Sequence, residues 1–290
     1  MMSRRSFLWA PSVGTAALWR RTAQANRAGA NSSTGVALSP NVETGASQQI
    51  KLLYIGGGKS PQHCAEPFSI VETTGFDAGT IGGFESHFYQ HLAARQVIRK
   101  AVEAEKKGYD AVVIGCFDDP GLWEARELVR IPVVGVGEAC YHLASMLTAG
   151  RFSVLMALSR HEPRMAMMAH HYGVISRIAS WRGLNVHFRE MGDNAKTETA
   201  VLREARGAVE DDGAEVIVLG CTGLSVLAQR AQQQLGVPVL DPILVGLKVA
   251  ELRATLWRRF EISHSKSGSY AQPGPADEFE ITFKKAYRTP

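Results

Sequence analysis

Cysteine is scarce in this chain, and its four copies are far apart. Cys64, Cys116, Cys140 and Cys221 in 290 residues include no CxxC pair. That spacing excludes a scaffold built on disulfides. Long apolar runs are also missing. None reaches the 18 or more residues of a spanning helix, so a helical membrane span is excluded. Glycine and proline, 28 and 12 residues, show no excess, which removes collagen-like and low-complexity classes. The body lacks a surplus of charge of either sign. The formal net charge is +4, but residues 1–30 hold Arg4, Arg5, Arg20, Arg21 and Arg27 and no acid. The rest carries 27 basic against 28 acidic residues, a net charge of −1. Nucleic acid is therefore not implied as a partner. What is present, 45% hydrophobic and 21% charged residues, suits a globular protein of one large or two modest domains.

The basic surplus belongs to a leader-like segment. Ser3-Arg4-Arg5-Ser6-Phe7-Leu8 precedes a mildly apolar stretch to Trp19 and then Ala23-Gln24-Ala25. A basic head, a short apolar middle and a small-x-small end are the parts of a secretory signal. The paired arginines followed by Phe-Leu resemble a twin-arginine export signal. The expectation is a signal over 1–25, a linker over 26–48 and a periplasmic protein. The alternative is a basic N-terminus on a cytoplasmic one. A mature N-terminus near Asn26 in a periplasmic fraction supports export, and an intact Met1 in cytosol refutes it.

From position 49, short apolar runs alternate with helix-period stretches. Strands are expected at 51–55, 110–115, 132–136, 152–158, 215–220 and 238–240. Amphipathic helices are expected at 92–107 and 122–129, the second with Asp119 as its cap and Pro120 in its first turn. Apolar strands of this kind point to parallel sheets covered on both faces. An internal repeat is the most informative feature. Gly108, Gly115 and Cys116 match Gly213, Gly220 and Cys221, all at a spacing of 105, and Ile131-Pro132-Val133-Val134 matches Val237-Pro238-Val239-Leu240. Helix, strand, Gly-Cys, helix and x-Pro-Val strand occur twice in that order. Two copies of one α/β unit imply two similar domains facing each other across a pseudo-two-fold axis.

Each copy places a cysteine where a buried strand meets the loop before a helix. Open α/β sheets bind ligands at that carboxyl edge. Two such cysteines approach one cleft from opposite sides. Racemising a carbon acid requires a proton to leave one face of a carbon and another to arrive on the opposite face. A thiolate base and a thiol acid across a cleft meet that need. A helix N-terminus lowers a thiol pKa, and backbone N–H groups there stabilise an enolate-like oxygen. Cys64 and Cys140 read as packing residues.

Ile114-Gly115-Cys116-Phe117-Asp118-Asp119-Pro120-Gly121-Leu122 and Val218-Leu219-Gly220-Cys221-Thr222-Gly223-Leu224 resemble the two cysteine motifs of the aspartate/glutamate/hydantoin racemase superfamily, in its hydantoin racemase branch. The likeness runs from about residue 85 to 262. It implies two flavodoxin-like (Rossmann-like) α/β domains and cofactor-independent racemisation or epimerisation of a small carbon acid, a hydantoin or amino-acid derivative. Cys116 and Cys221 would be the acid/base pair. Candidate substrate contacts are Phe117, Thr222 and Gly223 beside the thiols, and Ser60, Ser159 and Arg160 at the ends of the opening strands. Arg160 reads equally as a solvated arginine. The family's amino-acid racemases usually carry histidine where this chain has Gly223. The branch's usual Asn-Pro-Asn-Thr-Ser is replaced by Gly56-Gly57-Gly58-Lys59-Ser60, which leaves the reaction type standing and puts the substrate in doubt.

The domains read as 49–150, completed by 239–262, and 151–238. A helix is expected after Pro242. Residues 263–290 form a C-terminal arm, whose alternation over 278–287 suggests an edge strand or pairing with another subunit in a homo-oligomer. Rival readings are an enzyme of the same superfamily of the arylmalonate decarboxylase or maleate isomerase type, or a non-catalytic periplasmic solute-binding protein. The decarboxylase type uses one cysteine, so the presence of two favours racemisation. No metal site is expected, and the only partner the residues point to is a small-molecule substrate.

Overall fold

The computed structural model describes residues 49–77, 85–192, 194–274 and 276–287. The expected leader and linker lie outside them. Strands β1 (Ile50–Ile55), β2 (Ser69–Thr74), β3 (Ala111–Ile114) and β4 (Val133–Gly135) form a parallel sheet of order β2-β1-β3-β4. Strands β5 (Arg151–Met156), β6 (Ile178–Gly183), β7 (Ala214–Leu219) and β8 (Val239–Leu240) form a second parallel sheet of order β6-β5-β7-β8. The same winding occurs twice, giving an α/β fold of two similar flavodoxin-like halves. Helices α1 (His87–Lys106), α2 (Leu122–Leu128) and α3 (Val136–Leu147) belong to the first half, and α4 (Glu162–His171), α5 (Ala195–Glu210) and α6 (Ala228–Leu235) to the second. The last two described helices are α7 (Pro242–Phe260) and α8 (Ala276–Ala286).

Strand alternation divides the core. Leu53 and Ile55 face an outer core with Val97 and Ala101 of α1 and Leu122 and Ala125 of α2. Leu155, Ile217 and Leu219 face another with α5 and α6. Between them, Leu52 and Tyr54 of the first sheet share one central core with Phe152, Val154 and Val218 of the second. Tyr141 of α3 is fully buried there, with ring centroids 5.4 Å from Phe117, 6.3 Å from Phe152 and 6.4 Å from Trp181.

Asp241 caps α7: its Oδ1 accepts the N–H of Ile243 at 2.8 Å and of Leu244 at 3.3 Å, with Pro242 in the first turn. From there α7 lies on the first half, where the Glu251 carboxylate accepts the Glu66 N–H at 2.7 Å and Arg258 pairs with Asp110 at 3.2 Å. Val239–Leu240 pair with β7, so the chain returns to the first half at Asp241, two residues later than expected.

Two local expectations are corrected. Asp119 does not cap α2, whose N-cap is Gly121 with Pro120 ahead of it. Asp119 has left-handed backbone (φ 46°), and its carboxylate instead accepts the N–H of Gly137 at 2.9 Å and of Glu138 at 2.7 Å, capping α3. The segment read as either an edge strand or a subunit-pairing arm is helix α8, not a strand. Its 278–287 pattern also suits a helix, because residues four apart meet on one face. Phe283 packs against the first outer core, its ring centroid is 4.5 Å from that of Tyr287, and the Arg95 guanidinium lies 5.4 Å over the Tyr287 ring.

Candidate active site

Both cysteine turns start in the same way. The N–H of Gly115 donates to the carbonyl of Ile55 at 2.8 Å, and the N–H of Gly220 to the carbonyl of Leu155 at 2.8 Å. Each bond ties the residue after the central strand to its neighbour and sends the chain out of the sheet. The next residue is the cysteine. Its carbonyl accepts the N–H three residues on, from Asp119 to Cys116 at 3.0 Å and from Leu224 to Cys221 at 3.0 Å. Its sulfur accepts the N–H two residues on, from Asp118 to Cys116 and from Gly223 to Cys221. The 105-residue repeat is thus a repeat of hydrogen bonding as well as of residue type.

The turns meet. The Thr222 hydroxyl donates to the carbonyl of Gly115 at 3.4 Å, joining the residue after one cysteine to the residue before the other. The Cys116 sulfur also feels the charge of Cys221. Two further links hold the halves together here. Arg164 of α4 grips Asp118 with two bonds, Nε to Oδ1 at 2.7 Å and Nη2 to Oδ2 at 3.0 Å, and Gln90 of α1 adds a third at 2.8 Å. The Tyr172 hydroxyl donates to Asp119 at 2.9 Å. A bidentate arginine–carboxylate pair fixes distance and orientation together.

Cys116 is 7% exposed and Cys221 is partly buried; both are free thiols, as are Cys64 and Cys140. Burial pushes the Cys116 thiol well above its ordinary range. The Asp118 charge adds to the rise, and the Asp118 N–H opposes it. Burial likewise pushes Cys221 up to about 11, against the Gly223 N–H and with help from Asp118 and Glu85. The expected lowering by N–H donors is therefore present at both sulfurs and is outweighed by desolvation. Asp119 is pushed up to about 7, chiefly by burial, against the N–H donors of Gly137 and Glu138 and the Tyr172 hydroxyl.

The other expected contacts separate into two groups. Thr222 and Gly223 lie on the second turn, and a Cβ on Gly223 would stand 3.6 Å from the Cys221 sulfur. Phe117, 3% exposed, has its ring in the central core against Tyr141. Ser60, Ser159 and Arg160 are exposed and have partners within the chain. Ser60 donates to the Val71 carbonyl at 3.2 Å, the Ser159 hydroxyl to Asn185 Oδ1 at 3.0 Å, and Arg160 to Glu85 at 3.1 Å. Glu85 also accepts the Phe188 N–H at 3.2 Å and contacts His187 Nδ1 at 3.2 Å. Sequence reading missed Glu85, Arg164 and Tyr54. Nothing local marks the first two, because they matter through partners 75 and 46 residues away.

Tyr54 is 1% exposed, and its ring covers the ends of β1 and β3. A Cβ on Gly115 would fall 2.3 Å from its hydroxyl, and one on Gly56 2.5 Å from its Cε1. Both positions must be glycine for the ring to lie there.

Comparison with known proteins places the chain among racemases. The family model described as Asp/Glu/Hydantoin racemase matches residues 66–250. A hydantoin racemase of Pseudomonas sp. (strain NS671) is 37% identical over 190 residues, 65% of this chain and 74% of that protein. One from Paenarthrobacter aurescens is 36% identical over 191 residues, 65% of this chain and 79% of its own length. The solved allantoin racemase from Klebsiella pneumoniae is 30% identical with a TM-score of 0.71, covering 78% of this chain and 95% of that one.

Proposed function

The chain belongs to the Asp/Glu/hydantoin racemase family and is an isomerase, a racemase, and from that premise we propose that Cys116 and Cys221 are its paired acid and base, acting on a hydantoin-class ring. The observation that carries this reading is the joined pair of turns. Two cysteines in matching hydrogen-bonded turns, bridged by Thr222 and Gly115, sit at the carboxyl edges of two facing sheets. One thiolate takes the proton from the stereocentre while the opposite thiol delivers its own to the other face. The electron pair left by the C–H bond moves onto the neighbouring carbonyl oxygen and returns to carbon as the second proton arrives. The N–H groups of Asp118 and Gly223 stabilise whichever sulfur carries charge.

The charge balance supports an uncharged ring over a free amino acid. The arginines near the turns each face a carboxylate, Arg164 with Asp118 and Arg160 with Glu85. A substrate that presents carbonyls and N–H groups fits that neutrality. Recruiting either arginine for a free carboxylate would break its ion pair. The names of the hydantoin and allantoin racemases among its relatives point the same way.

The test is a panel of single-enantiomer 5-substituted hydantoins, amino acids and hydroxy acids incubated with the protein in heavy water. Deuterium entering the stereocentre of a hydantoin, with matching loss of optical rotation, is the expected result. Exchange confined to amino acids overturns the substrate class. Binding without exchange anywhere in the panel overturns the reaction.

A further inference from the structure

The phenol of Tyr54 has no structural equivalent in the second half. Tyr54 pairs with Val113, two residues before Gly115, and Val154 pairs with Val218, two residues before Gly220. Tyr54 and Val154 therefore hold the same place in the repeat. Since valine closes the second sheet, a hydroxyl is not needed to build this kind of sheet end. The hydroxyl also lies beside the chemistry. It stands against Gly115, the residue before Cys116, and it feels the charges of Cys116, Cys221 and Asp241. The residue as a whole is 1% exposed, yet among the described residues its hydroxyl makes no hydrogen bond. Phenylalanine would fill the same buried space, so packing alone does not call for the hydroxyl.

We propose that Tyr54 is a substrate-contacting residue whose hydroxyl donates a hydrogen bond to the ring carbonyl beside the stereocentre. The inference rests on the hydantoin-class reading above and adds the group that meets the developing enolate oxygen. Burial and the neighbouring sulfurs hold the phenol pKa well above its ordinary value, so the hydroxyl keeps its proton at any working pH. A fixed neutral donor aimed at an oxygen that gains charge in the transition state strengthens as the proton leaves carbon. Because the donor stands on one side only, the ring is bound in one orientation while its two faces meet two equivalent thiols. The interconverting enantiomers share one enolate and have an equilibrium constant of one, so loss of the donor must lower kcat/KM equally in both directions.

The test compares Tyr54→Phe with the wild-type chain in three measurements: thermal midpoint, affinity for 5,5-dimethylhydantoin, and kcat/KM on a 5-monosubstituted hydantoin. The dimethyl probe has no removable proton at its 5-carbon, so its binding is independent of racemisation. The expected result is an unchanged or raised midpoint, affinity about tenfold weaker, and kcat/KM down roughly 10²–10³-fold in both directions. Wild-type affinity and turnover in Tyr54→Phe overturn the proposal and leave the two-thiol reading intact. A wild-type chain that binds the probe but exchanges no proton overturns that reading while the affinity comparison still decides Tyr54. A wild-type chain that does not bind the probe overturns the hydantoin class and this proposal with it. Should the variant not fold, wild-type protein carrying 13C at the tyrosine Cζ decides: a shifted Tyr54 resonance on adding the probe supports the contact, and an unmoved one overturns it.

Discussion

At the scale of single residues, the proposed two-thiol chemistry depends on which force wins at each sulfur. Backbone N–H groups of Asp118 and Gly223 favour the thiolates, but burial favours the thiols and prevails at both positions. On the proposed two-thiol mechanism, the free protein therefore holds both sulfurs mainly as thiols, and the base arises when one of them loses its proton. A pKa above the ordinary range keeps the proton on sulfur to higher pH, so the thiolate fraction grows about tenfold per pH unit below it. We expect kcat/KM to climb with pH through the ordinary thiol range near 8.5 and beyond it. It should fall only when both members of the pair have ionised. A pH profile of hydantoin racemisation checks this, with iodoacetamide labelling of Cys221 followed by mass spectrometry as a parallel reading. Levelling of both by pH 8 contradicts the account. Gly115 supplies a second check. A Cβ there would meet Tyr54 at 2.3 Å. Gly115→Ala should cost about 1–3 kcal/mol of stability by overpacking, measured by denaturant titration.

At the scale of elements, α7 is the piece that returns the chain to its first half, and its start is set by one carboxylate. Asp241→Ala removes the acceptor for two orphan N–H groups and should cost about 1 kcal/mol, seen as a shift in the urea midpoint without a change in slope. The elements that were legible in sequence are those whose burial is two-sided. All four residues of β3 are buried, and such strands read as unbroken apolar runs. The edge strands β2 and β6 were not read. Ser69–Thr74 alternates exposed and buried residues over its first half, and Ile178–Gly183 is partly buried throughout, so neither has a clear period. The sequence of helix α8 does not decide between an edge strand and subunit pairing, because EFEITFKKAY satisfies alternation and helical spacing together. Its surroundings favour the helix, in which Phe283 packs against the outer core of the first half. The matching turns of Cys116 and Cys221 were legible because duplication put the same residue in the same place twice. Arg164, Glu85 and Tyr54 were not, because their roles arise from contacts that the fold creates.

At the scale of the molecule, the two halves share one core rather than touching at a rim. Residues from both sheets and from α3 and α7 bury together, and the Asp118–Arg164 pair, its side chains about a tenth exposed, crosses between them. One cooperative unfolding transition is expected, with near- and far-ultraviolet circular dichroism tracing a single curve. Two separated transitions would show that the halves fold independently and that the cleft is not rigidly built. That rigidity matters because two proton-transfer groups flanking one small carbon tolerate little misplacement. The most direct measurement of the whole account is therefore racemisation of a single-enantiomer 5-substituted hydantoin by Cys116→Ala and by Cys221→Ala, followed by optical rotation. Each should lose at least about 10³-fold in rate while keeping its fold. Wild-type turnover in either variant would contradict a mechanism in which each half supplies one of the two thiols.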